Sequence, residues 1–139
     1  MKNDVKSYVL DSFALLAFLR DEKGAETVND LLLLASESEA LVGMTEVNYA
    51  EVKYISLRKD GEEAWNKART ELSFLPIQFH SAQRALAERA ANFKAAYRMS
   101  LADAFAAALA EELSAELVTD DPEFKPLAKR IQIRWLNGE

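Results

Sequence analysis

Tyr8-Val9-Leu10-Asp11-Ser12 is the stretch that decides the fold, because it joins a short apolar run to the start of a helix. Three consecutive apolar residues are typical of a strand that is buried on both faces. Apolar residues then recur at helical spacing from Leu15 to Leu19, and Ser12 is a residue type that caps helices well. A buried strand followed directly by a helix is the repeating unit of an α/β fold with a parallel sheet.

The same alternation of strand and helix continues along the chain. Short apolar runs predict strands at residues 7–10, 41–44, 75–79, 116–119 and 131–135. Helical spacing predicts helices at residues 12–20, 23–36, 45–59, 62–72, 81–97 and 100–113. Thr45, Ser81 and Ser100 are the expected caps of three helices, and Pro76 restricts its strand to an edge or a strand start. We therefore expect a three-layer α/β/α sandwich with a mainly parallel sheet of about five strands, in a single domain spanning residues 1–139.

Composition excludes several classes of protein. The 139 residues are half apolar and include no cysteine, which excludes disulfides and thiol catalysis and is compatible with a reducing cytoplasm. The single histidine, His80, excludes a two-histidine zinc site, and we expect it in a loop or at the start of a helix. No long apolar run or signal-like leader is seen, so we expect a cytoplasmic protein without membrane contact.

Charge gives no clear indication of the partner. The net charge of −6 argues against nucleic acid at first, although acids of a metal site would account for part of it. Basic residues also occur in local groups, for example Lys53, Arg58 and Lys59, and solvated helix faces explain such groups well. The charge balance therefore neither requires nor excludes an RNA substrate.

Four acids stand where strands end or helices begin: Asp11, Glu51, Asp103 and Asp121. In an open α/β sheet, the carboxyl ends of the strands and the starts of the following helices meet at one crevice. Carboxylates crowded into one crevice repel one another, and a divalent cation relieves that repulsion. The four positions therefore predict a metal site at one edge of the sheet.

Three of the four acids also have a structural explanation. Asp11 could cap the first helix, Asp103 fits a capping box, and Asp121 lies in a turn before a proline. Glu51 is harder to explain in this way, because it lies on the apolar face of its helix, where an ionised carboxylate needs partners. Glu46, at the first position of the same helix, is favoured by the helix dipole and is expected to be structural.

Four segments of the chain resemble the PIN-domain ribonucleases, and most closely the toxins of VapBC-type toxin–antitoxin pairs. The segments are residues 9–17 (VLDSFALLA), 47–52 (VNYAEV), 100–110 (SLADAFAAALA) and 117–124 (LVTDDPEF). They occur in the order of the family and span nearly the whole chain. The resemblance implies a PIN-like fold and a metal-dependent endoribonuclease.

The family's site positions fall on six residues of this chain. The catalytic acids are Asp11, Glu51, Asp103 and Asp121, and the supporting hydroxyls are Ser12 and Thr119. The resemblance implies Mg²⁺ or Mn²⁺ held by Asp11, Asp103 and Asp121, with Glu51 holding or activating a water that attacks an RNA phosphodiester. Asp120 occupies a variable position of the family's turn and is left out of this set.

The resemblance further implies a homodimer, an RNA substrate and a cognate antitoxin that covers the acidic crevice. Leu32, Leu33 and Leu34 are the apolar helix residues that we expect to be exposed and available for such contacts. A helix buried on most of its sides would explain the same leucine run, because one face cannot hold every member of it.

Other classes fit less well. A haloacid-dehalogenase-type phosphatase needs a second acid two residues after the first, where this chain has Phe13. A receiver domain places its acid pair after the first strand, but here the pair comes late. A nucleotide-binding fold needs a glycine-rich loop, and the four glycines are not clustered. The remaining alternative is a catalytically silent PIN-like binding or interaction module.

Overall fold

The computed structural model describes residues 5–137, which form strands and helices in alternation. The strands are β1 (Lys6–Leu10), β2 (Ala40–Thr45), β3 (Ile77–His80), β4 (Glu116–Thr119) and β5 (Ile133–Trp135). The helices are α1 (Ser12–Leu19), α2 (Ala25–Ser36), α3 (Glu46–Asp60), α4 (Glu62–Leu72), α5 (Arg84–Ala96) and α6 (Leu101–Leu113), with a 3₁₀ helix at Pro122–Leu127.

The five strands form one sheet in the order β3-β2-β1-β4-β5. Every pairing between these strands is parallel. The strand β1 lies at the centre, where Val9 pairs with Gly43 on one side and with Leu117 on the other. The predicted α/β class and the parallel sheet of about five strands are confirmed. The strand β3 lies at an edge, as Pro76 predicts.

Helices cover both faces of the sheet, and each face has its own hydrophobic core. Val9 and Leu117 point into the core that contains the buried residues of α5 and α6. Leu10 and Val118, one residue further along the same strands, point into the core formed with α1, α2 and α4. This alternation follows from the two-residue period of a strand and gives the three predicted layers.

The helix α6 is buried along most of its length. Residues 103–110 are all buried, and five of these eight residues are alanines. Alanine is the strongest helix former, and its small side chain lets a helix pack closely on all sides. The position of α6 against the sheet is therefore tightly constrained, and its first turn lies at the carboxyl ends of the strands.

The predicted cap at Ser81 is wrong. The helix α5 begins at Arg84, and its N-cap is Gln83, which has an extended backbone. The reason is sheet pairing, which extends β3 to His80, opposite Thr45 of β2. His80 therefore ends a strand and does not lie in a loop or at a helix start.

The prediction for the leucine run of α2 is wrong at one position. Leu32 is buried in the core together with Leu31, whereas Leu33 and Leu34 are 54% and 37% exposed. Successive helical residues turn by about 100°, so one side of α2 faces the core and Leu33 and Leu34 point outward. Within residues 5–137, no helix combines the length and the apolar character that crossing a bilayer requires.

A carboxylate cluster at the carboxyl edge of the sheet

Five carboxylates line a single cavity at the carboxyl ends of β1 and β4. The cavity has a volume of about 310 Å³, and its acids are Asp11, Glu51, Asp103, Asp121 and Glu123. Asp11 directly follows β1, and Asp121 lies two residues after β4, which pairs with β1. The second turn of α3 brings Glu51 to the same edge, and the first turn of α6 brings Asp103 there. All four acids singled out from the sequence therefore lie together.

Asp11 is buried, and both of its carboxylate oxygens accept hydrogen bonds. The backbone N–H of Ala14 donates to Oδ1 at 2.8 Å, which makes Asp11 the N-cap of α1. The hydroxyl of Thr119 donates to Oδ2. The expected cap at Ser12 is therefore wrong, because the Asp11 carboxylate accepts the capping hydrogen bond from the Ala14 N–H. Ser12 is buried as the first residue of α1 and bonds to Asn48 instead.

The Thr119 hydroxyl connects two of the acids. It donates to the Asp11 carboxylate and accepts from the backbone N–H of Asp121 at 2.9 Å. Thr119 is fully buried at the end of β4. One hydroxyl therefore ties the carboxylate that follows β1 to the backbone that follows β4.

Asp103 lies at the third position of α6, where the side chain of Ser100 caps the helix. The Ser100 hydroxyl accepts from the Asp103 backbone N–H at 3.0 Å. Asp103 is buried, with only 9% of its surface exposed. The cap predicted at Ser100 is confirmed, and the Asp103 carboxylate also lines the cavity. The structural and functional explanations of Asp103 are thus compatible.

Glu123 belongs to the cluster, and our reasoning from the sequence missed it. Oxygens of Asp103, Asp121 and Glu123 all lie within 4.8 Å of one another. Asp121 caps the 3₁₀ helix by accepting from the Glu123 backbone N–H at 2.9 Å. The signal in the sequence was an acid directly after the Asp121-Pro122 turn, where the chain folds back on itself.

The remaining acids differ in position. Glu51 is half-buried and lines the cavity from α3. Glu46 is exposed and lines a separate cavity beside Tyr49 and Phe79. Asp120 is not among the residues that line the carboxylate cavity.

Burial perturbs the Asp11 carboxyl strongly. The pKa of Asp11 is raised to about 8, mainly by desolvation and to a smaller extent by the nearby charges of Asp103 and Asp121. The hydrogen bonds from Thr119 and Ala14 oppose this shift. The ionised form of Asp11 is therefore unfavourable unless a positive charge is nearby.

Asp103 shows the same behaviour with a larger contribution from its neighbours. The pKa of Asp103 is raised to about 7, first by burial and then by the charges of Asp121 and Glu51. The hydrogen bond with Ser100 acts in the opposite direction. Among residues 5–137, no lysine, arginine or histidine forms a salt bridge with any acid of this cavity.

This donor set fits a hard divalent cation. Mg²⁺ and Mn²⁺ prefer oxygen ligands, and every charged group in the cavity is a carboxylate. The convergence of Asp103, Asp121 and Glu123 provides oxygens at a spacing that one ion can bridge. Because burial raises the pKa values of Asp11 and Asp103, a cation bound here would stabilise their ionised forms.

Comparison with solved structures finds the same fold in bacterial proteins. A toxin–antitoxin complex from Klebsiella pneumoniae has a chain with a TM-score of 0.67 at 19% identity, covering 93% of this chain and 97% of that chain. The DNA-bound VapBC of Salmonella typhimurium gives 0.70 at 14% identity, with coverages of 96% and 99%. VapC20 of Mycobacterium tuberculosis, a Sarcin-Ricin loop cleaving toxin, gives 0.66 at 16% identity, with coverages of 87% and 94%.

Comparison at the level of sequence gives the family. A search of curated proteins finds no match. The family model described as "PIN domain" matches residues 8–130, a span that includes all five acids of the cavity. Since this match covers most of the chain and the fold agrees with it, the protein belongs to the PIN-domain family.

Proposed function

We propose that this protein is a metal-dependent endoribonuclease and the toxin of a toxin–antitoxin pair. The observation that carries this proposal is a cavity of five carboxylates, none of which forms a salt bridge with a basic residue among residues 5–137, and two of which have strongly raised pKa values. Membership of the PIN-domain family supports a nuclease. The solved neighbours that are a toxin–antitoxin complex and a Sarcin-Ricin loop cleaving toxin support the toxin assignment.

Asp11, Asp103 and Asp121 would hold Mg²⁺ or Mn²⁺, and Glu123 is placed to join them. When bound, such a cation lowers the pKa of a coordinated water and offsets negative charge on a phosphate. Glu51, half-buried at the same cavity, would accept a proton from the attacking water or orient it. Ser12 and Thr119 act as supports, since the Thr119 hydroxyl fixes the orientation of the Asp11 carboxylate.

An antitoxin is the expected protein partner, and a homodimer is the expected assembly. A cavity with this much negative charge attracts a segment that carries a basic side chain. A bound segment of this kind would exclude RNA and cation together, which is how we expect the antitoxin to neutralise the enzyme. The Klebsiella pneumoniae neighbour, a toxin–antitoxin complex, supports this type of assembly.

The experiment that tests the proposal is cleavage of total RNA by purified protein with Mg²⁺ or Mn²⁺, compared with Asp103→Asn. Glu112→Gln is the matched control, because Glu112 is an exposed acid on the same helix and does not line the cavity. We expect metal-dependent cleavage by wild type and by Glu112→Gln. Asp103→Asn should lose at least about 100-fold in rate, as for the loss of a major electrostatic contribution to a transition state.

Two results would contradict the proposal. Equal cleavage by wild type and Asp103→Asn would mean a contaminating nuclease, or that Asp103 acts only in the N-terminal turn of α6. Absence of cleavage by all three proteins, together with retained binding of a partner, would favour the catalytically silent PIN-like binding or interaction module.

A further inference from the structure

The buried side-chain amide of Asn48 does not line the carboxylate cavity. It connects the helices α1, α3 and α6, which follow or carry three of the acids. Asn48 is fully buried at the third position of α3. Its Nδ2 donates to the Ser12 hydroxyl and to the Ala102 carbonyl, both at 3.1 Å. Its Oδ1 accepts from the hydroxyl of Thr45, the N-cap of α3. The amide therefore uses both of its N–H groups and its oxygen.

Both acceptors of the amide N–H groups are next to acids that line the cavity. Ser12 directly follows Asp11, and Ala102 directly precedes Asp103. Glu51 lies one turn after Asn48 on the same helix. The Ser12 hydroxyl also donates to the backbone carbonyl of Asn48 at 3.3 Å, so two hydrogen bonds join α1 and α3.

The carboxylates at these three positions tend to separate the helices that carry them. Asp103 and Glu51 repel each other across the cavity, and Asp103 also repels Asp11. No basic side chain among residues 5–137 forms a salt bridge with them. A buried link between the starts of α1, α3 and α6 opposes this repulsion, and hydrogen bonds in a dry environment are stronger than in water.

We propose that Asn48 is a positioning residue that sets the spacing of Asp11, Glu51 and Asp103 and so determines how tightly the cavity binds a divalent cation. Asn48 does not line the cavity and acts only through Ser12 and the Ala102 carbonyl. The inference rests on the proposed function, since it assumes that the cavity holds a cation.

Two substitutions separate the hydrogen bonds of the amide from its volume and charge. Asn48→Leu has nearly the same size and no charge, but it can neither donate nor accept. Asn48→Asp keeps the shape and the acceptor for Thr45, but it loses both donors. A role in filling space would leave both variants unaffected, and an effect of charge would appear only in Asn48→Asp.

The test measures Mn²⁺ affinity by electron paramagnetic resonance without RNA, together with RNA cleavage and crystal structures of the variants. We expect both Asn48 variants to bind Mn²⁺ about 10- to 100-fold more weakly, the usual loss when a residue that orients metal ligands is removed. The structures should show a longer distance between the Cα atoms of Glu51 and Asp103. Val28→Ala, a core change in α2 at a residue that does not line the cavity, is the control: it should lower stability while leaving Mn²⁺ affinity near that of wild type.

The outcomes distinguish this inference from the proposed function. If wild type binds Mn²⁺ and both Asn48 variants bind it equally well, the positioning role is wrong while the nuclease stands. If wild type neither binds Mn²⁺ nor cleaves RNA, the nuclease proposal fails. Separately, an unchanged distance between the Cα atoms of Glu51 and Asp103 in the variants would overturn the positioning role. Should Asn48→Leu not fold, Thr45→Val removes the donor to the amide oxygen together with the N-cap acceptor for the Asn48 backbone N–H, and it should weaken Mn²⁺ binding in the same direction.

Discussion

Asp11 has two tasks that make opposite demands on its protonation state. As the N-cap of α1 it accepts a hydrogen bond from the Ala14 backbone, and an ionised carboxylate serves this purpose best. Burial nevertheless raises the pKa of Asp11 to about 8, because the charged form loses its hydration. A bound divalent cation would reconcile the two demands, since it stabilises the charged form in place of water.

The first prediction concerns pH. Asp11 and Asp103 have pKa values of about 8 and about 7 in the folded protein and about 3.9 in an unfolded chain. Between these values the folded state holds more protons, so the free energy of unfolding should fall as pH rises, by at most about 1.4 kcal/mol per pH unit for each group. Urea unfolding in a metal chelator should therefore show lower stability at pH 8 than at pH 5.

Two comparisons check this interpretation. Asp11→Asn cannot ionise but still caps the helix, so its unfolding should depend less on pH than that of wild type. Adding Mn²⁺ at pH 8 should restore stability to wild type, because a ligand that binds only the folded state stabilises it. A pH dependence that is the same in wild type and Asp11→Asn would show that Asp11 is not the group responsible.

The second prediction concerns the Thr119 hydroxyl. Thr119→Val keeps the shape of the side chain but removes the donor to Asp11 and the acceptor for the Asp121 N–H. We expect a loss of about 1–3 kcal/mol in the free energy of unfolding, because buried polar groups lose their partner. Mn²⁺ affinity should fall as well. Thr119→Ser, which keeps the hydroxyl, should retain most of the affinity; equal affinity in all three proteins would refute the role of the hydroxyl.

At the scale of elements, three of the acids lie at the starts of helices, where backbone N–H groups are free. Asp11 and Asp121 are N-caps, and Asp103 is in the first turn of α6. The partial positive charge at a helix start favours a nearby carboxylate, although here burial and repulsion outweigh it. The elements thus provide rigid supports for side chains that repel one another.

The third prediction separates a true cap from a false one. Ser100 accepts a hydrogen bond from the Asp103 N–H, whereas Ser81 lies outside α5 and makes no such bond within residues 5–137. Ser100→Ala should therefore cost about 1 kcal/mol of stability, within the usual range for an N-cap. Ser81→Ala should have little effect. Thermal unfolding of the two variants measures the difference, and equal losses would contradict the assignment of the caps.

The sequence predicted which strands and helices exist more accurately than the residues at which they begin and end. The strand at residues 116–119 agrees with β4 at both ends, because an apolar run between a helix end and an acidic turn leaves few alternatives. The cap at Ser81 could not be foreseen, since the end of β3 depends on pairing with β2. The same limit applies to Leu32, whose burial depends on which side of α2 faces the core.

The sequence predicted that four scattered acids converge, and their roles stay a prediction. The convergence of Asp11, Glu51, Asp103 and Asp121 followed from the rule that strand ends and helix starts share one edge. Glu123 was missed because an acid after a proline is also common at the start of any helical turn. The contacts of Asn48 were not predictable either, since a polar residue on a helix face gives no sign of what packs against it.

At the scale of the whole molecule, the acids lie at the carboxyl ends of the central strands, whereas α2 exposes apolar side chains to solvent. Leu33 and Leu34 are exposed on α2, in the segment between β1 and β2. Contiguous exposed apolar surface marks many contact sites, and these two leucines are adjacent in the chain. We expect this surface to take part in the homodimer or in antitoxin binding.

The fourth prediction tests that surface. The double variant Leu33→Glu, Leu34→Glu should weaken self-association or antitoxin binding, because charged residues are unfavourable at the core of an interface. Sedimentation and titration with the antitoxin measure the two effects. Metal-dependent RNA cleavage should persist if the fold is intact, and unchanged assembly in both assays would show that this part of α2 is not an interface.

The capping roles of the acids also bear on how such a protein evolves. Asparagine and aspartate cap helices about equally well, so Asp11→Asn or Asp121→Asn would preserve the local fold while removing a negative charge from the site. A duplicated gene could therefore lose its chemistry in one substitution and keep a stable domain. For the proposed nuclease, the route to a harmless binding protein is short, because the positions proposed to carry the reaction are also positions where a neutral residue can cap a helix.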